Sequence, residues 1–188
     1  MKILPLKLAL LLVSLAGGLQ LLGDHHEQAV ADAATLIPMA GKIRVSLNGE
    51  LFTEYIYGNQ RKPVLYPVIG PHGIGMTRNY PIKKGVKGEA EDHVHHVSLW
   101  FTHGEVNGVS FWHENANSGR IEHEKIVKVV YGEGGGLLRT SNRWIGPDEK
   151  TVCTDVRTLR FHSVPHGRTI DYEVTVIASA GDLTFGDT

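Results

Sequence analysis

Turn punctuation constrains this chain more than any other feature. From residue 42 onward, short apolar stretches are cut by Asn48-Gly49, Gly70-Pro71-His72-Gly73, Asn107-Gly108, Gly134-Gly135-Gly136 and Pro165-His166-Gly167, and helical periodicity is almost absent. Asn-Gly between two alternating runs favours a two-residue type I′ turn, because both central positions need positive φ. Ile43, Val45 and Leu47 alternate with polar residues before the first such turn, and Leu51 to Tyr57 follow it. Further strand-like runs are Pro63–Ile69, Val97–Thr102, Val109–Trp112, Ile121–Tyr131, Leu137–Trp144, Thr151–Ser163 and Thr169–Ser179. In the last, Ile170, Tyr172, Val174, Val176 and Ala178 share one face, the signature of a strand with one buried side. The pattern predicts an all-β fold, an antiparallel β-sandwich or barrel.

The first residues read differently. Lys2 and Lys7 flank an apolar stretch from Leu8 to Leu22, shorter than a spanning helix requires, and Ala29-Val30-Ala31 and Ala31-Asp32-Ala33 each fit a signal-peptidase site. Residues 1–33 are therefore expected to be a signal peptide, 34–41 a linker and 42–188 a single domain, exported to the periplasm, cell envelope or extracellular space. Stable membrane insertion is not expected after cleavage. Without Lys2, Lys7, Asp24, Glu27 and Asp32 the two signs of charge balance, so nothing points to nucleic acid. Cys153 is the sole cysteine and reads as a buried small hydrophobe, so the domain must rest on its core rather than a disulfide.

Chemistry concentrates in Asp92-His93-Val94-His95-His96. Neutral imidazole is the commonest metal ligand and the commonest proton shuttle near neutral pH. Were the segment extended, His93, His95 and His103 would share one face, with Asp92 and His96 on the other. His93, His95 and His96 are the candidate ligands for one divalent metal such as zinc, manganese, copper or iron. In a metal-free alternative, His96, His103 and His113 carry protons, with Asp92, Glu105 or Asp155 as partners. Arg78, Asn107, Arg143 and Arg157 can hold hydroxyl or carboxylate groups, and Trp100, Trp112 and Tyr80 can face a sugar ring. A plain reading stands beside both: solvated histidines at a strand entry and aromatic residues buried in the core. His123, His162 and His166 read as structural or exposed. The Asn107-Gly108 turn is expected to bring His113 close to the histidine run.

Several strings carry a family resemblance: Pro67-Val68-Ile69-Gly70-Pro71, Thr77-Arg78-Asn79-Tyr80-Pro81, Asp92-His93-Val94-His95-His96, Ser98-Leu99-Trp100-Phe101, His103-Gly104-Glu105-Val106-Asn107-Gly108, Phe111-Trp112, Gly119-Arg120-Ile121, and Gly181 to Asp187. In this order they resemble the secreted bacterial PmoA family, labelled methane oxygenase PmoA. The resemblance implies a chain whose relatives continue past the equivalent of Thr188, so a C-terminally incomplete domain is expected. That family typically has proline and arginine at the positions of Val94 and Val97, so a cation beside the histidines is missing here. Its label implies a copper- or iron-dependent oxygenase. A fold-level likeness to galactose-mutarotase super-sandwiches suggests instead a carbohydrate-active hydrolase, lyase or isomerase. A non-catalytic glycan-binding envelope protein is the third expectation. The residues placed in the site are Asp92, His96, His103 and Arg78 for catalysis, and Trp100, Asn107, Trp112, His113 and Arg143 for a small-molecule or glycan ligand.

Overall fold

The computed structural model describes residues 32–188, and over that span the chain is built from antiparallel strands. One sheet has the order β1-β2-β3-β4-β5, formed by Ala34–Met39, Lys42–Leu47, Glu50–Ile56, Val64–Leu65 and Leu99–Trp100. The other has the order β11-β10-β9-β8, formed by Gly167–Ile177, Thr151–Val164, Gly136–Ile145 and Arg120–Val130. A small hairpin of β6 (Glu105–Val106) and β7 (Val109–Ser110) stands apart from both. A 3₁₀ turn at Pro71–Gly73 is the only helical element among the described residues, and no helix there is long and apolar enough to cross a membrane.

The expected turns fold as their chemistry requires. Asn48 and Gly49 have φ of 51° and 82°, and Asn107 and Gly108 have 50° and 76°, both pairs in the left-handed region that type I′ demands. β10 and β11 meet at Val164 and Gly167, leaving Pro165 and His166 as a two-residue connection.

Alternation places the core. Ile43, Val45, Phe52, Tyr55 and Leu65 of the first sheet close on Leu138, Leu159 and Phe161 of the second. A second cluster gathers Val106, Phe111, Ile121, Trp144 and Cys153, which seats the β6–β7 hairpin on the second sheet. Cys153 is fully buried, and burial pushes its thiol up to about 12, so it packs as a hydrophobe. On β11 the residues Ile170, Tyr172, Val174 and Val176 do alternate with exposed ones, but they are only half-buried. Ile170, Tyr172 and Val174 line an apolar cleft of about 430 Å³ with Leu99, Trp100 and Phe101.

Two expectations are corrected. Residues 34–39, read as linker, form β1, paired with β2 from Ala34↔Leu47 to Met39↔Lys42. The runs Pro63–Ile69 and Val97–Thr102 contribute only the two-residue strands β4 and β5, with Ile69 in an isolated bridge to Gly75. The expected signal segment lies outside the described residues except for Asp32 and Ala33, and these two are integral to the fold. The Asp32 carboxylate accepts from the Ser163 amide at 2.8 Å and lies 2.9 Å from the His162 ring, while Ala33 bridges to Glu133.

Polar groups bridge the two sheets at the centre. The fully buried Asp155 carboxylate accepts from Trp144 Nε1, Asn142 Nδ2 and the equally buried Arg157 guanidinium. Arg157 also donates to the Tyr172 hydroxyl, and the Tyr55 hydroxyl donates to Asn142 Oδ1. Asp155 and Arg157 are thus core architecture and meet no solvent, which removes them from the list of substrate-facing groups.

Candidate metal centre

The histidine run is not extended. The His96 amide donates to the His93 carbonyl at 2.9 Å, and the Val97 amide to the His95 carbonyl at 3.1 Å, so the chain turns with Val94 at its exposed tip. His93 and Ser98 take positive φ, 43° and 52°. Such values are uncommon for non-glycine residues and persist where surrounding contacts over-determine them. Here Val97 is buried, while Ser98 Oγ donates to the Leu65 carbonyl at 2.7 Å and pairs with Thr77 Oγ1.

The loop leading in is stapled as well. Glu89 accepts from the amides of Asn79 and Tyr80 and from the Asn79 side chain. Arg78 donates to the carbonyls of Ala90 and Asp92 at 2.8 and 2.9 Å and packs over Tyr80. Arg78 therefore anchors the loop rather than a substrate. Asp92 lies 3.5 Å from His93 Nε2, where it can orient that ring.

The turn corrects the assignment made for an extended chain: it gathers His93, His95 and His96 together instead of separating them by face. Each offers one ring nitrogen, and these atoms all lie within 4.8 Å of one another. Ring centroids are 4.3 Å apart for His95 and His96 and 5.0 Å for His93 and His96. Two nitrogens on one tetrahedral zinc-sized ion, each at about 2.1 Å, stand about 3.4 Å apart. Closing the set onto an ion thus needs the widest-spaced pair to approach by up to about 1.4 Å, a movement of the rings within the turn. His95 is held below the usual histidine range by burial first, then by His96, His113, Lys62 and His93. A neutral imidazole is the form that ligates.

A second wall comes from the β6–β7 hairpin. Its turn returns the chain so that Phe111 is buried and Trp112 and His113 face the histidines. His113 lies 5.3 Å from His95 between ring centroids, with its Nδ1 3.3 Å from Ser110 Oγ. Trp112 stands edge-on to His96 at 5.8 Å and to Trp100 at 4.9 Å. A cleft of about 380 Å³ adjoins this wall, lined by Glu105, Ser110, Trp112, His113 and the chain's last residues.

The remaining candidates are placed elsewhere. His103 sits on the Phe185 ring with Nε2 3.0 Å from the Gly186 carbonyl, outside the triad. Asn107 is a staple: its amide donates to the Asp182 carbonyl and its oxygen accepts from the Thr184 amide. Arg143 lies exposed on β9, alternating with the buried Asn142 and Trp144, and is paired with Glu122 at 3.0 Å. Sequence reasoning missed Lys62 and Glu114. Lys62 is buried, 3.1 Å from Glu114 and 4.2 Å from the Trp100 ring centroid. Within Arg61-Lys62-Pro63 nothing distinguishes it from a solvated turn residue.

A family model described as a family of unknown function (DUF6807) matches residues 42–188. No curated protein and no solved structure matches.

Proposed function

We propose that this chain, which belongs to the DUF6807 family of unknown function, is an exported metal-assisted enzyme acting on a carbohydrate. One observation carries the reading: ring nitrogens of three imidazoles converge within 4.8 Å of one another beside a cleft walled by Trp112. His93, His95 and His96 are the ligand set, which suits a borderline divalent ion. When bound, such an ion supplies Lewis acidity toward a sugar oxygen or an activated water.

The chain's own residues supply the rest. Trp112 offers an apolar face to a pyranose ring, and Glu105 and Ser110 offer hydrogen bonds to its hydroxyls. His113 is placed to carry a proton between substrate and solvent, its Nδ1 engaged by Ser110. Asp92 and Arg78 act one step back, holding the turn that presents the three rings.

Elemental mass spectrometry of purified protein, beside a His95→Ala/His96→Ala double variant, tests this. Near-stoichiometric zinc or manganese lost in the variant, with turnover on a glycan panel, is the expected result. Stoichiometric copper or iron redirects the reading to the oxygenase that the resemblance implies. A metal-free wild type after reconstitution overturns the ligand set.

A further inference from the structure

Lys62 is the least expected side chain near the histidines. Its side chain is only 3% exposed, and burying a charge costs several kcal/mol unless its partners compensate. A methionine of similar length would fill the same space without that cost. Every partner of the ammonium belongs to the candidate site. Nζ lies 3.1 Å from Glu114, the residue after His113, donates to the Trp112 carbonyl at 3.2 Å and sits 4.2 Å from the centroid of the Trp100 ring. The backbone beside it is fixed from another direction, because Arg61 Nη2 donates to the Ser118 carbonyl at 2.8 Å and the Ile121 amide donates to the Arg61 carbonyl.

We propose that Lys62 is a positioning residue, a buried ammonium that pins the Trp100 and Trp112 walls and thereby sets the relative placement of His95, His96 and His113. It touches neither a ligand atom nor the substrate cleft. Trp100 arrives on β5 and Trp112 from the β6–β7 hairpin, two elements that belong to different sheets. The ammonium joins them through one ring face and one carbonyl, which an apolar side chain cannot do. The proposal rests on the metal-site reading for its consequence, although not for the pinning itself.

The test uses the chain with Lys62→Met/Glu114→Gln, which removes both charges together and leaves the net charge unchanged. Cobalt(II) affinity, read from its visible spectrum, is expected to fall about tenfold with displaced bands, as for other groups that orient metal ligands. Acrylamide quenching of tryptophan in the metal-free protein is expected to rise at the same time. Trp144 is fully buried, so this signal reports Trp100 and Trp112. Unchanged quenching together with cobalt affinity within twofold of wild type overturns the proposal. A wild type that binds no cobalt overturns the metal reading instead, and the quenching arm then decides the pinning alone.

Discussion

Replacing Arg157 with methionine tests the central polar network and has a magnitude that follows from its geometry. Asp155 is fully buried and accepts from Asn142 at 2.5 Å, Trp144 at 2.7 Å and Arg157 Nη2 at 2.8 Å. Methionine replaces the aliphatic stem but leaves the carboxylate with two neutral donors. Removing one partner of a buried ion pair costs about 3–5 kcal/mol. Loss of the Arg157 bond to the Tyr172 hydroxyl adds about 1 kcal/mol. Because Asn142 and Trp144 remain in place, the lower end applies, for a total of about 4 kcal/mol. In a domain of this size each kcal/mol moves Tm by about 2–4 °C, so a fall of about 8–16 °C is expected. Calorimetry gives the Tm, and urea unfolding gives the free energy. Asp155→Asn/Arg157→Met, which removes the stranded charge and keeps an acceptor, is expected to recover at least half of the loss. A single variant that loses less than about 1 kcal/mol, or a double variant less stable than the single, refutes the reasoning.

Three other outcomes are expected. Asn107→Ala removes two hydrogen bonds to the 182–184 segment and places a Cβ residue at φ 50° without a compensating side chain. A stability loss of about 2–3 kcal/mol, with faster amide exchange at Thr184, is the prediction, and unchanged exchange contradicts the staple role. His123 is held below its ordinary value, by burial foremost. Above about pH 6.5 both states are neutral there; as pH falls through that value the unfolded chain protonates first, so stability declines until the lowered folded value is passed. Urea midpoints at pH 7.5 and 5.5 should show this decline, with a smaller slope in His123→Phe; equal slopes count against it. Finally, cleavage after Ala31 retains the Asp32 contacts with Ser163 and His162, whereas cleavage after Ala33 deletes them. If the proposed export holds, N-terminal sequencing of the mature protein is expected to begin at Asp32, and a start at Ala34 contradicts this use of the carboxylate.

The all-β class was legible because its signals are local. Asn48-Gly49 and Asn107-Gly108 encode their turns through backbone preference alone, and the alternation from Ile170 to Val176 encodes which face of β11 turns inward. The linker reading of 34–41 failed because Ala34–Met39 carries no clear alternation; its strand exists through pairing with β2. Composition likewise marked His93, His95 and His96 as chemically unusual. The three were expected on one metal, but the turn that gathers them was not legible, since it is held by Ser98, Arg78 and Glu89 through partners 9 to 33 residues away.

Tertiary structure alone separated workers from supports. Arg78, Asn107 and Arg143 have the chemistry to bind a ligand, and the fold commits each of them to a carbonyl, an amide or a carboxylate of the protein. Lys62 has the opposite history: unremarkable in sequence, it ends up buried between two indole-bearing segments. A side chain's chemical potential is written in its identity, but whether that potential is free depends on desolvation and on partners distant in sequence, which only the folded chain brings together.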